Sequence, residues 1–391
     1  MRSIYLDHAA TTPTDPAVLE AMIPYYQDRY GNPSSLHSFG RAAKSAVETA
    51  RKKVAAFLGA EPEEVVFTSG GTEANNMALR GVARALRNRG NHIVISPVEH
   101  HAVLEPCRDL AEEGFEVTLL AVDQHGMVNP DDVAGVLTHR TILVSVMHAN
   151  NEIGTIQPLA EIGRLAHEKG IYVHTDAVQT FGHIPFTVDD IGVDLLSLSA
   201  HKMYGPKGVG ALYVRAGTRI AALLRGGGQE GGRRASTENV PGIVGLGKAV
   251  DLACGKMTGE IGELSRLRDR LITGIRERVE RVRINGHPEK KLPGNASISF
   301  DGVEAEPLLL TLDLMGIACS GGSACSSTNV ETSHVLAAIG LDPGLARGTL
   351  RFSLGRATTE EEIDRVLDVL PPVVRRLRSA GRKEPKEMRR S

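Results

Sequence analysis

The chain alternates between helical and strand-like patterns from about residue 40 to residue 215, and this alternation limits its fold more than any other feature. Short apolar runs predict strands at 65–68, 92–96, 116–120, 141–146, 171–174, 195–199 and 211–214. Apolar residues at helical spacing separate most of these runs, as Leu159, Ile162 and Leu165 do. This alternation predicts a mostly parallel sheet covered by helices, with ligands bound beyond the carboxyl ends of its strands.

A second, smaller unit is predicted after this region. The glycine-rich stretch 226–232 indicates a loop, and a long helical pattern around Leu271 follows it. Strand patterns at 296–300 and 349–354 flank a helical pattern that follows Pro307. This order of elements indicates an α+β unit.

The expected fold is therefore α/β, with a large domain at 15–258 and a small α+β domain made of 1–14 and 259–378. Residues 379–391 are charged and have no repeating apolar pattern, which predicts a disordered tail.

Composition and charge limit the partners and the location of the protein. The chain has 45 Lys and Arg against 47 Asp and Glu, a net charge of -2, so no overall field favours nucleic acid or an anionic membrane. No apolar run approaches the ~20 residues of a membrane span, and the first residues have neither a signal nor a transit pattern. We expect a cytoplasmic protein that binds neither nucleic acid nor membrane directly.

Lys202 and Asp176 each follow a predicted strand. A lysine that emerges from the core can be desolvated, which favours its neutral, nucleophilic form. A buried aspartate beside a pyridine nitrogen keeps that nitrogen protonated, so together the two residues indicate pyridoxal phosphate. Gln179 adds an amide that could bond the ring hydroxyl. The alternatives are a solvated surface lysine and an aspartate that caps a helix.

A phosphate site is predicted at 69–76, where a strand pattern gives way to a helical one. Backbone amides at the helix start, with the Thr72 hydroxyl, would bind an anion. The glycine pair that ends at Gly71 is also typical of a plain strand-to-helix turn.

His100 could stack on a planar ring, and the alternative is a packed histidine. Asn151 offers an amide at the same sheet edge, and the alternative is a two-asparagine turn.

The chain has four cysteines, Cys107, Cys254, Cys319 and Cys325, and no Cys-x-x-Cys pair, which argues against a disulfide framework and a zinc ribbon. Cys325 lies in a polar segment of small residues, whereas structural cysteines are usually buried among apolar neighbours. This setting indicates a reactive thiolate.

Cys319 follows an apolar run and is expected in a strand core. A metal site formed by Cys319, Cys325 and His334 is a weaker alternative, because the chain has no short ligand pair.

Arg351 lies in the last predicted strand, where Leu350 and Phe352 share the opposite face. An arginine on the polar face could hold a carboxylate through two parallel hydrogen bonds. A surface salt bridge is the alternative.

In this order, the motifs resemble those of the cysteine desulfurases of the NifS/IscS type, class V members of the aspartate-aminotransferase fold class of pyridoxal-phosphate enzymes (fold type I). The resemblance runs from residue 5 to about residue 370. The matching segments are 5–13, 31–35, 99–100, 149–154, 176–179, 208–213, 323–327 and 351–356.

The resemblance implies a cofactor site in which Lys202 forms a Schiff base, His100 stacks on the ring and Asp176 contacts the ring nitrogen. The implied cofactor-binding residues are Lys202, Gly71, Thr72, His100, Asn151, Asp176, Gln179, Ser199, His201 and Thr237. In the family the contact that matches Thr237 comes from the partner subunit, which implies a homodimer.

The resemblance also implies L-cysteine as substrate, bound by Asn151 and Arg351, and Cys325, Lys202 and His100 as catalytic residues. Cys325 would carry a persulfide, deliver its sulfur to an IscU/NifU-type scaffold for iron-sulfur cluster assembly, and could transiently ligate such a cluster. No resident metal is implied. The alternatives are a selenocysteine lyase, a kynureninase-like hydrolase, an aminotransferase and a non-catalytic scaffold. An aminotransferase needs no nucleophilic cysteine, so Cys325 argues against that branch.

Overall fold

A computed structural model of the protein describes residues 3–321 and 333–381. The strands in this part of the chain are β1 (Ile4–Tyr5), β2 (Val65–Thr68), β3 (His92–Ile95), β4 (Glu116–Leu119), β5 (Thr141–Ser145), β6 (Tyr172–Asp176), β7 (Leu195–Ser199), β8 (Gly210–Val214), β9 (Val282–Asn285), β10 (Asn295–Phe300), β11 (Ile317–Ala318), β12 (Ser320–Gly321) and β13 (Thr349–Ser353). The helices are α1 (Pro16–Met22), α2 (Pro24–Gln27), α3 (Ser38–Leu58), α4 (Gly71–Leu86), α5 (His101–Glu112), α6 (Pro130–Val136), α7 (Leu159–His167), α8 (Val240–Arg278), α9 (Ala305–Leu314), α10 (His334–Ala338), α11 (Pro343–Ala346) and α12 (Glu360–Gly381). Short 3₁₀ turns lie at Pro62–Glu64, Ala200–Lys202 and Gln229–Gly232.

The large sheet has the strand order β2-β8-β7-β6-β5-β3-β4. Strands β4, β3, β5, β6 and β7 run parallel to one another. Strand β8 runs antiparallel to both β7 and β2. Every residue of β2, β3, β5, β7 and β8 is buried, as expected for strands whose two faces are both covered. The predicted α/β class with a mostly parallel, helix-covered sheet is confirmed.

A smaller antiparallel sheet has the order β12-β13-β10-β9, and β1 pairs in parallel with β11 beside it. Two separate apolar cores lie along α8: Ile243 and Leu246 pack under the large sheet, and Leu267 and Leu271 pack under the small one. The domain boundary at residue 258 stays a prediction.

Helix α12 begins with a reciprocal cap, since Thr359 N donates to Glu362 Oε2 at 3.2 Å and Glu362 N donates to Thr359 Oγ1 at 3.3 Å. The helix continues to Gly381, past residue 378 where the tail was predicted to begin. The first three residues of the predicted tail are therefore helical, and the rest lie outside the described residues.

Candidate active site

A cavity of about 330 Å³ lies at the carboxyl ends of the parallel strands, between the two sheets. Its wall is lined by residues that were predicted to bind the cofactor or the substrate and that come from distant parts of the chain: Gly71, Thr72, His100, Asn151, Asp176, Gln179, His201, Lys202 and Arg351. The large sheet brings all of them except Arg351 together, because its parallel strands end at one edge. Arg351 comes from β13 of the small sheet.

Among the predicted site residues that the structure describes, Ser199 and Thr237 do not line this wall. Ser199 ends β7 and is buried next to Gly70, the residue before α4, with its Oγ 3.9 Å from a Cβ built on Gly70. Thr237 is exposed and borders a different cavity of about 140 Å³. Cys325 lies outside the described residues.

Lys202 lies on the short turn that follows β7. Its Nζ donates hydrogen bonds to the carbonyls of Ala9 and Ala10, both at 2.7 Å. Gln179 Nε2 also donates to the Ala9 carbonyl, at 3.0 Å. The segment after β1 therefore closes one side of the cavity and orients both side chains.

Asp176 is the last residue of β6 and is 5% exposed. Its Oδ1 accepts from Val178 N at 2.9 Å, and its Oδ2 accepts from Asn75 Nδ2 at 2.7 Å. These two donors fix the carboxylate at the cavity wall. Asn75 was missed in the sequence because an asparagine within a helical pattern gives no sign of facing inward.

His100 caps the N-terminus of α5, where its Nδ1 accepts from Ala102 N at 3.0 Å. In the neutral imidazole the proton therefore lies on Nε2. Burial lowers the pKa of His100, and Lys202 lowers it further while Asp176 opposes both. A neutral ring that carries one N–H and one unprotonated nitrogen suits both stacking and proton transfer.

The start of α4 has the features of an anion site. A Cβ built on Gly71 would lie 2.7 Å from Val178 Cγ2, so the backbone approaches the wall more closely than a side chain would allow. The helix dipole and the first amides favour a negative group here. Burial and the nearby Lys202 and Lys207 lower the pKa of His201 to about 4, which keeps this ring neutral.

Arg351 is 2% exposed, so the alternative of a surface salt bridge is wrong. Its Nη2 pairs with Asp7 Oδ1 at 2.8 Å, and its Nη1 donates to the Asn151 carbonyl at 3.0 Å. Its Nε has no partner among the residues that the structure describes. The segment after β1 covers the polar face of β13. The alternation of apolar and polar residues along β13 does not predict this packing.

His334 and Glu152 also line the cavity and had no predicted place there. His334 Nε2 hydrogen-bonds the Glu99 carbonyl at 2.9 Å, and its ring lies 4.9 Å from that of His101. Within residues 3–321 and 333–381, no group of three or more potential ligand side chains is arranged to hold a metal ion.

Cys319 lies between β11 and β12 rather than inside a strand, and it is partly buried. Burial raises the pKa of its thiol to about 12. This thiol is therefore protonated at neutral pH.

The comparisons with known proteins cover nearly the whole chain. The family model of Aminotransferase class-V matches residues 4–366. A cysteine desulfurase IscS from Dictyoglomus turgidum is 55% identical over 97% of this chain and 96% of its own. A cysteine desulfurase IscS from Methanosarcina thermophila is 52% identical over 99% of this chain and 96% of its own.

A solved structure of a NifS-like protein superposes with a TM-score of 0.90 at 40% identity, covering 96% of this chain and 100% of that one. The resemblance that the motifs indicated is confirmed. This chain belongs to the class-V aminotransferase family and, within it, to the cysteine desulfurases of the NifS and IscS type.

Proposed function

We propose that the protein is a cytoplasmic, homodimeric, pyridoxal-phosphate-dependent cysteine desulfurase that converts L-cysteine to L-alanine and carries the released sulfur as a persulfide on Cys325. The observation that carries this proposal is the meeting of Lys202, Asp176 and Arg351 on one cavity wall. A lysine, a fixed carboxylate and a buried arginine suit an amino-acid substrate and a pyridine cofactor.

The residues present fit pyridoxal phosphate. The start of α4 and His201 offer donors for its phosphate, Asp176 offers a fixed carboxylate for its ring nitrogen, and Lys202 offers an amine for its aldehyde. When bound, the cofactor supplies a ring that accepts electrons from the substrate's Cα.

The protein's own residues then have separate tasks. Arg351 holds the substrate carboxylate, with Asn151 beside it. Lys202 Nζ removes the proton from Cα and returns a proton to the product. His100 takes the proton of the substrate thiol at Nδ1, the ring nitrogen that carries no proton in the neutral tautomer.

Sulfur transfer uses the thiolate of Cys325. It attacks the substrate sulfur, so that a sulfur–sulfur bond forms and the Cβ–sulfur bond breaks. Cβ gains a proton and becomes the methyl group of alanine, and the enzyme keeps the persulfide. The reaction consumes no external oxidant or reductant.

One feature supports the proposed assembly. Thr237 is exposed and does not line the cavity of its own chain, as expected for a residue that contacts the phosphate in a partner subunit. None of the helices in the described part of the chain is both long and apolar enough to cross a membrane. An IscU/NifU-type scaffold that serves iron-sulfur assembly is the proposed acceptor of the sulfur.

The test is the variant Cys325→Ser. It should abolish sulfide release from L-cysteine in the presence of a reducing thiol, because a hydroxyl cannot form a persulfide. It should still bind the cofactor, which absorption spectroscopy measures. The exposed Cys254, changed to Ser in the same way, is the matched control and should retain activity. Undiminished sulfide release by Cys325→Ser would rule out the assigned nucleophile.

A further inference from the structure

Glu152 is a carboxyl group of the cavity wall to which the proposed reaction gives no task. It is 7% exposed, and Ser333 Oγ donates to its Oε2 at 2.5 Å. Its backbone N–H donates to Asn150 Oδ1 at 2.8 Å. The side chain and the main chain are therefore both anchored, and the carboxyl group keeps its place beside the proposed substrate site.

Glu152 shares the nearby positive charge of Arg351 with a second carboxylate. Arg351 on β13 is ion-paired with Asp7 and also acts electrostatically on Glu152. Ser333, which caps α10, contributes a neutral hydroxyl. Further titratable groups around the same cavity are His100, His101, Asp176, His201, Lys202 and His334. One buried guanidinium thus faces two carboxyl groups before any substrate arrives.

A substrate carboxylate on Arg351 would be the third acidic group at this single cation. Uncompensated charge is costly in a buried site, and protonation of a carboxyl group relieves it. Burial raises the pKa of Glu152 to about 7, although the Ser333 hydrogen bond and Arg351 both oppose the rise. The proton can come from solvent, and no bond other than an O–H bond forms.

We propose that Glu152 is a positioning residue that takes up a proton when the substrate carboxylate binds Arg351, so that substrate binding is linked to proton uptake. The inference rests on the carboxylate-binding role given to Arg351 in the proposed function. The protonated carboxyl removes one of three negative charges from the surroundings of Arg351, so that the guanidinium faces only Asp7 and the substrate carboxylate.

The direction of the pH dependence follows from this linkage. Well below its pKa of about 7 Glu152 is already protonated, and it adds no pH dependence to the affinity for the carboxylate. Above pH 7 the free protein must take up a proton to bind, so affinity falls as pH rises until the pKa of the bound state is reached. If binding raises the pKa of Glu152 by about one unit, affinity changes about tenfold.

The experiment uses propionate, which has the substrate's carboxylate without the amino group. Propionate is titrated calorimetrically into the cofactor-loaded protein at pH 8, in buffers that differ in ionisation enthalpy, so that proton uptake is measured directly. A sizeable fraction of a proton should be taken up per site, and affinity should fall about tenfold between pH 6 and pH 9.

Two variants and one control isolate the group. Glu152→Gln should abolish the uptake and flatten the affinity profile, whereas the exposed Glu112, changed to Gln, should preserve both. Ser333→Ala should move the fall in affinity to higher pH, because it removes a hydrogen bond that lowers the pKa of Glu152.

Different results would contradict the role of Glu152 and the carboxylate-binding role of Arg351 on which it rests. Suppose that propionate binds the wild type without proton uptake and that Arg351→Gln abolishes this binding. That result would overturn the role of Glu152 alone. Wild-type proton uptake by Glu152→Gln would overturn that role as well. Propionate that binds Arg351→Gln normally, or does not bind the wild type, would overturn the carboxylate-binding role and the inference with it.

Discussion

Asp176 is held by donors at the position where the proposed cofactor would contact it. Its two oxygens each accept a hydrogen bond, one from the Val178 backbone and one from the Asn75 side chain. An anion that is already held by donors needs no reorganisation when a cationic ring nitrogen approaches. Asn75 is therefore as much a part of the proposed site as Asp176.

Changing Asn75 to Ala should weaken cofactor binding about tenfold. The variant leaves one oxygen of a buried carboxylate without its donor, a loss that typically costs about 1–3 kcal/mol. The dissociation constant of pyridoxal phosphate, measured by spectroscopic titration, checks the expectation. Asn76→Ala is the matched control, because the Asn76 side chain bonds within α4 to Thr72 and Arg80. Equal losses in the two variants would contradict this role.

Some residues of the proposed site could be selected from the sequence, whereas the surroundings of Arg351 could not be predicted. Lys202, Asp176 and His100 could be selected because each follows an apolar run or belongs to a recognisable motif. Arg351 was placed on the correct strand, but alternation along a strand does not reveal whether its polar face meets solvent or another segment. The covering segment, which includes Asp7, is more than 300 positions away and has no local signal.

The glycine pair at the start of helix α4 forms part of the proposed anion site. Its first residue, Gly71, lies so close to Val178 that a methyl group would meet that side chain at 2.7 Å. Val178 itself lines the cavity, so any displacement changes the wall where the phosphate is expected.

Gly71→Ala should therefore lower the affinity for inorganic phosphate and for pyridoxal phosphate by about tenfold or more. The clash moves Val178 or the helix start, and both form the proposed anion site. Gly135→Ala in α6 is the control, because the added Cβ would contact nothing within 4 Å and only favours the helix, by up to about 1 kcal/mol. Unchanged phosphate binding in Gly71→Ala would contradict the placement of the site.

Strands β5, β6 and β7 are joined through one buried ring. His174 on β6 contacts Ser145 Oγ at 2.8 Å and Ser197 Oγ at 3.1 Å. Burial lowers the pKa of His174 to about 3. The folded state therefore binds fewer protons than the unfolded state between pH 6.5 and pH 3, and the stability present above pH 6.5 is lost as pH falls.

His174→Gln should remove this part of the acid sensitivity. Between pH 7 and pH 5 the wild type should lose about 2 kcal/mol more unfolding free energy than the variant, because a buried neutral ring resists the proton that the unfolded chain accepts. Urea unfolding at both pH values measures the difference. The exposed His139, changed to Gln, should behave as the wild type. Parallel losses in wild type and His174→Gln would contradict this account.

The elements themselves were largely predictable. Most strands of the large sheet are short, buried and apolar, so their patterns have few competing interpretations. The structure places each strand of this sheet within one or two residues of the expectation, including the exposed edge strand β4. Strand β9 was not predicted, and neither were the short strands β1, β11 and β12. These short strands have only two residues each, and long-range pairing rather than local sequence defines them.

At the scale of the whole molecule, the proposed active site lies between the two apolar cores that pack along helix α8. Helix α8 packs against both, and the segment after β1 crosses from the small sheet to the turn that carries Lys202. Arg351 from the small sheet and Asp176 from the large sheet thereby line one cavity. A substrate bound between them would be held at its carboxylate by one unit and activated by the other.

The most direct test of this account is the product of L-cysteine turnover by the purified, cofactor-loaded protein. In the presence of a reducing thiol, we expect alanine and sulfide in equal amounts, and neither product from Lys202→Ala. Turnover of L-selenocysteine, measured in parallel, should be no faster than turnover of L-cysteine. Formation of an oxo acid with transfer of the amino group, or no alanine from a protein that binds the cofactor, would contradict the account.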